Sequence, residues 1–350
     1  AHPHAKPEFG TGVEMICSYG DYSDVRLIRE LKLKPIKAIN EEGRLTSIAG
    51  KFAGMKVLDA RRKIIDELKK LSLLVKEEEI MHRIPVCWRS KDPIEIIEME
   101  EYYLKQLPFL PKLKEMVEKL EFYPESSKQL LLDWMNAISM DWPISRRRYY
   151  GTEIPIWYCK RCKKANLPKP GKYYRPWKEN PPFKTCKHCN SNEGFIPELR
   201  TFDTWMDSSI SVLYVCGYGK KLFDKAFPCS IRPQGKEIVR TWLYYTLLRV
   251  YQLLGKQAFK KIWISGLGMD EHGRKMSKSL GNVVYPEPIL EKYGADAFRL
   301  WSVSEARLGS DFRYSEERLN GSFKFLTKLW NVARFVSIFP MPKKAKLLAS

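Results

Sequence analysis

The 350-residue sequence contains no apolar run of about 18 residues, so it predicts no membrane-spanning helix. Its opening, AHPHAKPEFG, has neither the basic nor the apolar region of a secretion signal, and the cytosol is the expected compartment. No internal repeat and no tract of low complexity is seen. Acidic residues are in short supply: 41 Asp and Glu face 61 Lys and Arg, a formal charge of +20. Such a balance points to a polyanionic partner, nucleic acid first, with a general solubility surplus as the plainer alternative. What is plentiful is apolar: 44% hydrophobic residues and ten Trp describe a globular chain of two or three domains.

Helical spacing is strong in SDVRLIREL, where Ser23 or Asp24 could cap, and in VLDARRKIIDELKKLSLL, with Val57, Leu58, Ile64, Ile65, Leu68 and Leu71 on one face. HRIPVCWRSKDPIEII predicts two short strands separated by a turn at Asp92 and Pro93. Two helices split at Pro124 are expected within PKLKEMVEKLEFYPESSKQLLLDWMNAI. A strand is expected in TWMDSSISVLYVCGY, then one long apolar helix in GKEIVRTWLYYTLLRVYQLLG and a buried strand, KIWISG. Strand, helix and strand in this order fit a portion of a doubly wound parallel sheet, whose ligands bind beyond the carboxyl ends of its strands. Two further helices follow Pro286, and the second stops at a basic tail.

Eight cysteines are present, four of them in two C-x-x-C pairs, Cys159 with Cys162 and Cys186 with Cys189. The spacing lets each pair place two sulfurs on one tetrahedral ion. The residues between them, KPGKYYRPWKENPPFK, are poor in core formers, so something other than apolar burial is expected to order the insert. Zinc in a closed four-sulfur structural site is the expectation, with a redox pair or disulfides as the alternatives and iron not excluded by spacing. Four thiolates then complete the ion's ligands, and His188 is expected on the surface or behind them. The single cysteines, Cys17, Cys87, Cys216 and Cys229, read as small apolar residues.

The stretch DEHGRKMSKSLGN, residues 270–282, puts Lys275, Ser277, Lys278 and Ser279 between Gly273 and Gly281 at the end of the KIWISG strand. Ammonium and hydroxyl groups on a loop able to bend are equipment for holding an oxyanion such as phosphate; a solvated basic loop is the alternative. KMSKS in this setting resembles the signature loop of the class I aminoacyl-tRNA synthetases. The resemblance implies ATP with Mg2+ as substrate, an aminoacyl adenylate as product, and charge on the departing pyrophosphate met by Lys278, helped by Lys275. It places Met276, Ser277, Ser279 and His272 in the ATP site. It also places Gln234, Gly235 and Glu237 of RPQGKEIVRTW at the adenylate ribose, where a helix cap is the alternative. TFDTWMDSSIS resembles the segment lining the amino-acid pocket, Trp205 as a wall and Asp207 as a polar anchor, although a packed core Trp explains the same letters.

DWPISRRRYYGTEIPIWYC resembles the valyl, isoleucyl and leucyl subgroup, in which a second site hydrolyses mischarged products because an apolar pocket rejects a near-isostere poorly. EFGTGVEMICSYGDYSDV resembles the end of that hydrolytic domain, with Asp21 and Asp24 implied to hold the misattached amino acid's ammonium group; as plain capping carboxylates they would look the same. Met15-Ile16-Cys17 departs from the Lys-Ile-Thr of many bacterial members and is similar to the archaeal type. The valyl members fit best, with the isoleucyl members as the alternative. Implied partners are valine, ATP and tRNA(Val), for a monomeric enzyme. No HIGH signature is found, so the sequence is expected to be an internal piece of a longer enzyme, inactive alone. The expected order is the end of an editing domain at 1–95, a return connection at 96–156, a zinc insert at 157–197, the second half of a Rossmann-like α/β catalytic fold at 198–285, and the start of a helical anticodon-binding bundle at 286–350. A zinc-containing RNA-binding module without chemistry and another nucleotidyl-transfer enzyme of the same fold are the competing expectations.

Overall fold

The structure, a computed structural model, describes residues 3–341 apart from 4, 9–11, 80, 82, 88, 89 and 149. The start of EFGTGVEMICSYGDYSDV and the basic tail therefore fall partly or wholly outside the described residues. The chain forms two compact units, residues 1–101 and 102–350.

In the first unit the helix Tyr22–Glu30 is capped by neither expected residue. Asp21 stands in extended backbone and its Oδ1 accepts from the amides of Ser23 at 2.7 Å and Asp24 at 2.9 Å. The helix Val57–Lys70 forms as its spacing predicts, yet Leu58, Ile64 and Leu71 on its apolar face stay exposed, and among the described residues of this unit only Leu27 and Ala60 are buried. Among the described residues, the two strands expected around Asp92 amount to one antiparallel bridge, Val86 with Pro93, closed by Cys87 N to Asp92 O at 2.8 Å. The turn lies before Asp92, through Lys91 at φ 64°.

The second unit is organised by a parallel sheet of Glu121–Tyr123, Phe259–Ser265 and Cys229–Gly235, with Phe259–Ser265 in the middle. Ile262 and Ile264 point from that strand into the core, where Leu113, Val117, Leu131, Met135, Leu247 and Leu248 meet them. Leaving Cys229–Gly235, the chain crosses to the middle strand through the helix Tyr244–Leu254, ended by Gly255 at φ 64°. The strand expected in TWMDSSISVLYVCGY is instead two short helices, Thr204–Ser208, capped by Asp203, and Ser211–Val215, and the strand before the crossover is Cys229–Gly235. The expected single helix is in fact three pieces: a 3-10 turn at Lys236–Ile238, a π turn at Val239–Leu243, then α-helix. Pro124 does separate a pair of helices, Leu110–Glu118 and Lys128–Ala137, but the segment between them includes the outer strand of the sheet. Three residues are too few for a period-two pattern to register.

The cysteine-bearing insert is a small antiparallel sheet of Ala165–Asn166, Trp157–Cys159 and Phe195–Pro197. Contrary to the sequence expectation it has an apolar centre: buried Trp157 meets Tyr174 and Phe183 edge-on, and Phe183 packs on Phe195. Two helices close the unit. Pro286–Glu305 kinks at Gly294, and Glu316–Ser337 is capped by Ser315, whose Oγ accepts from Arg318 N. No described helix is long and apolar enough to cross a membrane.

Candidate functional site: the lysine loop and the cysteine cluster

Gln234 and Gly235 sit at the carboxyl end of their strand, in register with Ile264 and Ser265, and Ser265 Oγ donates to Gln234 O at 3.2 Å. Beyond Ser265 the chain turns through Gly266 against the backbone of 309–312. Gly309 N donates to Ile264 O at 2.8 Å and Phe312 N to Leu267 O at 3.0 Å. Asp311 joins the two strand ends: one carboxylate oxygen accepts from Leu267 N at 2.8 Å, the other from Lys236 Nζ at 2.7 Å. The next residues, Gly268–Met269, form a parallel pair with Phe312–Arg313, so the start of the lysine loop is fixed to a rigid edge.

Asp270, 5% exposed, opens the loop by accepting from the amides of His272 at 3.0 Å and Arg274 at 2.7 Å. Gly273 takes φ 74° in that turn, under the Arg313 guanidinium. Ser277 caps the short turn Lys278–Leu280, and Gly281 ends it at φ 65°. Lys275 and Lys278 are exposed, and their side chains make no hydrogen bond or ion pair among the described residues. Met276 between them is half-buried and lines a cavity of about 300 Å³ with Met269, Ile289, Phe298, Trp301 and Phe312. Ser279 Oγ lies 2.6 Å from Ser277 Oγ.

The remaining expected nucleotide contacts are less uniform. Glu237 is exposed, its carboxylate folded over Gly235 so closely that a Cβ there would lie 2.4 Å from Oε2. Gln234 is buried, and neither atom of its amide has a partner. His272 is exposed. Strand pairing brings Gln234 to the carboxyl end of the sheet from which the lysine loop departs, and Glu237 stands in the turn that follows; no hydrogen bond or ion pair joins them to Lys275 or Lys278.

Trp205 is half-buried against the main core, and its amide donates to Asp203 Oδ1 at 3.0 Å. Asp207 is exposed and accepts from Thr152 Oγ1 at 3.0 Å. The more heavily used carboxylate is one that sequence reasoning passed over. Asp203 caps the helix Thr204–Ser208 and accepts from Arg146 at 2.5 Å and from the Trp142 indole at 3.2 Å, and Trp142 in turn stacks on Tyr245 at 3.7 Å.

The four paired cysteines converge. Their Sγ atoms all lie within 4.8 Å of one another, with Cys159 to Cys189 and Cys162 to Cys186 each at 3.7 Å. Four thiolates bonded to one ion at about 2.3 Å make a tetrahedron of edge about 3.8 Å, whereas a disulfide needs sulfurs about 2 Å apart. The two turns are built alike. Lys163 N returns to Cys159 O and Asn190 N to Cys186 O, each at 2.9 Å, and both Lys163 and Asn190 have positive φ. Burial would push the Cys186 thiol up, but donors from His188 N, Cys189 N and the Asn166 amide bring it down to about 6. Of the His188 ring, Nε2 lies 3.0 Å from Ala165 O, outside the sulfur cluster.

The family description "tRNA synthetases class I (I, L, M and V)" matches residues 21–315. The chain belongs to this family. Among class I tRNA synthetase relatives, the valine–tRNA ligase of Aeropyrum pernix is 51% identical over 349 residues, 99% of this chain and 42% of that protein. The valine–tRNA ligase of Nanoarchaeum equitans is 49% identical over 344 residues, 96% of this chain and 44% of that one. The chain thus spans less than half the length of these curated relatives. A solved methionyl-tRNA synthetase of Mycobacterium tuberculosis in complex with methionyl-adenylate shares 20% identity over 67% of this chain and 39% of that chain, with a TM-score of 0.48, too slight a likeness to argue from.

In the first unit of this class I synthetase chain, Asp24 and Cys17 press on Gly20 from either side: a Cβ there would lie 2.4 Å from Asp24 Oδ2 and 3.0 Å from Cys17 Cβ. Gly20 helps line a cavity of about 490 Å³ with Cys17, Tyr19, Ile36, Arg61 and Glu98, while neither Asp21 nor Asp24 forms its wall. Burial and the Glu98 carboxylate push the Tyr19 phenol up. Asp21 has one oxygen committed to its helix cap.

Proposed function

We propose that this chain is the portion of a valine–tRNA ligase that carries the pyrophosphate-facing loop, a zinc knuckle and the end of an editing domain. Support comes from the two relatives named valine–tRNA ligase, similar along nearly the whole chain. The observation that carries the chemistry is the disposition of Lys275 and Lys278, two unpaired ammonium groups on a loop rooted at the carboxyl edge of a parallel sheet.

In this reading valine's carboxylate attacks the α-phosphate of ATP, and negative charge grows on the departing pyrophosphate. Lys278 meets that charge and Lys275 assists, so both contribute more in the transition state than in the ground state. Ser277 and Ser279 offer hydroxyls beside them, Met276 anchors the loop in its apolar cavity, and His272 stands at its entrance. Mg2+ arriving with ATP would add charge neutralisation at the phosphates. Gly235 allows close approach at the ribose, where Glu237 accepts from a hydroxyl and Gln234, its amide otherwise unsatisfied, supplies a further contact. Trp205 walls the amino-acid pocket and Asp207 anchors its polar end. Cys159, Cys162, Cys186 and Cys189 hold Zn2+ in a structural role, since four sulfurs leave no open position for substrate. Asp21 and Asp24 serve hydrolysis of mischarged threonine. The surplus positive charge faces tRNA(Val), for a monomeric cytoplasmic enzyme.

The test is charging of a mixed tRNA set by the full-length protein with valine, isoleucine and threonine. Valine on tRNA(Val) is expected, and a preference for isoleucine would move the assignment to the isoleucyl members. Lys278→Ala should cost about 3 kcal/mol in adenylate formation, roughly 100-fold or more, with tRNA affinity unchanged. Salt-sensitive RNA binding without ATP-dependent chemistry would leave only a binding module.

A further inference from the structure

Asn282 closes the lysine loop on itself. Its Oδ1 accepts from Ser277 N at 2.8 Å, and its Nδ2 donates to Lys275 O at 3.1 Å and to Asp270 Oδ2 at 2.9 Å. Both donor hydrogens of this amide, and its oxygen, are thereby used within the loop. Two of the three bonds go to backbone atoms on either side of Met276, which lines the apolar cavity. The backbone of residues 275–277 is therefore pinned from both directions while the lysine side chains remain unpaired.

The third bond runs to a firm support. Asp270 follows directly on the strand pair Gly268–Met269 with Phe312–Arg313, and besides Asn282 it accepts from two amides and from Arg274 Nε at 2.8 Å. Burial works against its charge, yet the donors from Asn282 and Arg274 hold its carboxyl well below the usual carboxylate range. An acceptor charged at every physiological pH and fixed to the sheet edge makes a stable post for the Asn282 amide.

We propose that Asn282, braced by Asp270, is a positioning residue for the adenylation step: it sets the height at which Lys275 and Lys278 stand over the departing pyrophosphate. The inference rests on the assignment of those lysines given above. It differs from that assignment in what it asks of the residues, since Asn282 touches no substrate and acts only through the backbone it holds. A misplacement of about 1 Å in such a contact is enough for about a 100-fold loss of rate.

The experiment uses the full-length protein, with valine-dependent pyrophosphate exchange and hydrogen exchange of the Ser277 amide read in parallel. Asn282→Ala is expected to speed exchange of that amide about tenfold or more and to lower kcat by about tenfold, with KM for valine held within about twofold. Asn282→Ser, which keeps one acceptor, should fall between it and the parent, and serves if the alanine variant unfolds. Asn282→Asp keeps the acceptor for Ser277 N but offers Lys275 O and Asp270 Oδ2 no donor, so it should lose protection and kcat as the alanine variant does. The inference is overturned if kcat survives Asn282→Ala, if KM for valine rises as far as kcat falls, or if Asn282→Asp keeps both protection and kcat. Lys278→Ala separates the two levels. Lost activity there with unaffected Asn282 variants sinks the positioning role alone, whereas intact activity in Lys278→Ala sinks the lysine assignment and this inference with it.

Discussion

Replacing Gly266 by alanine puts a methyl group where Ser310 O already stands: a Cβ at this position would lie 1.7 Å from that oxygen and 2.7 Å from Asp311 N. A carbon and a carbonyl oxygen approach no closer than about 3.3 Å, so one of two backbones must retreat by about 1.6 Å. Neither is free to do so. Gly309 N to Ile264 O, Phe312 N to Leu267 O and Leu267 N to Asp311 Oδ1 all cross this contact, at 2.8, 3.0 and 2.8 Å. Losing three such bonds at about 1 kcal/mol each gives about 3 kcal/mol, at the top of the usual range for overpacking. For a unit of this size that corresponds to an apparent Tm lower by about 6 to 12 °C in a thermal melt. Because the lysine loop leaves from this turn, the same shift should lower pyrophosphate exchange by about 100-fold in the full-length protein. A Gly266→Ala protein that melts within about 2 °C of the parent and keeps its exchange rate would refute the claim that this close approach fixes the loop.

The cysteine cluster predicts one zinc per chain by metal analysis, and its removal with a chelator should expose the 157–197 insert to protease while the 229–265 strands stay protected. Burial would raise the Glu198 carboxyl, but Arg200 and the Tyr158 hydroxyl outweigh it and bring it down to about 2. A depressed carboxyl contributes stability that is complete above its unfolded value of about 4.3 and is lost as pH falls towards about 2. Glu198→Gln should therefore flatten the acid limb of an unfolding-against-pH curve, and an unchanged limb would speak against the pair. Asp21 carries two assignments that one substitution pair separates. Asp21→Ala should cost about 1 kcal/mol of stability through the lost cap, whereas Asp21→Asn keeps the cap and, if the charge serves editing, still slows deacylation of threonyl-tRNA(Val).

The loop KMSKS, the two C-x-x-C pairs and the KIWISG strand were legible in sequence because each is local: a few residues at fixed spacing decide the conformation. The outer strand Glu121–Tyr123 was not legible, since three residues carry no periodic signal and pairing with Phe259–Ser265 alone makes them a strand. The π turn at Val239–Leu243 hid for a different reason. Nothing in the order of its residues marks where the helical register slips. Aromatic packing around Trp157 was missed because its partners, Tyr174, Phe183 and Phe195, lie 17 to 38 residues away. In the candidate site, Lys275 and Lys278 announced themselves by charge between glycines. Asp270 and Asn282 stood in the same stretch, but an acid and an amide 12 residues apart say nothing until the loop closes and joins them at 2.9 Å.

The sequence by itself determined which chemistry is available: mobile ammonium groups on a glycine-bracketed loop and four thiols paired at metal spacing, because residue type and short spacing set charge, donor count and local turn. Only the tertiary structure decided where that chemistry stands. Gly266 meets Ser310, Asp311 joins Lys236 to Leu267, and the two cysteine turns face each other across 24 to 30 residues, because contacts between distant segments depend on how the chain folds back on itself, and short spacing does not record that.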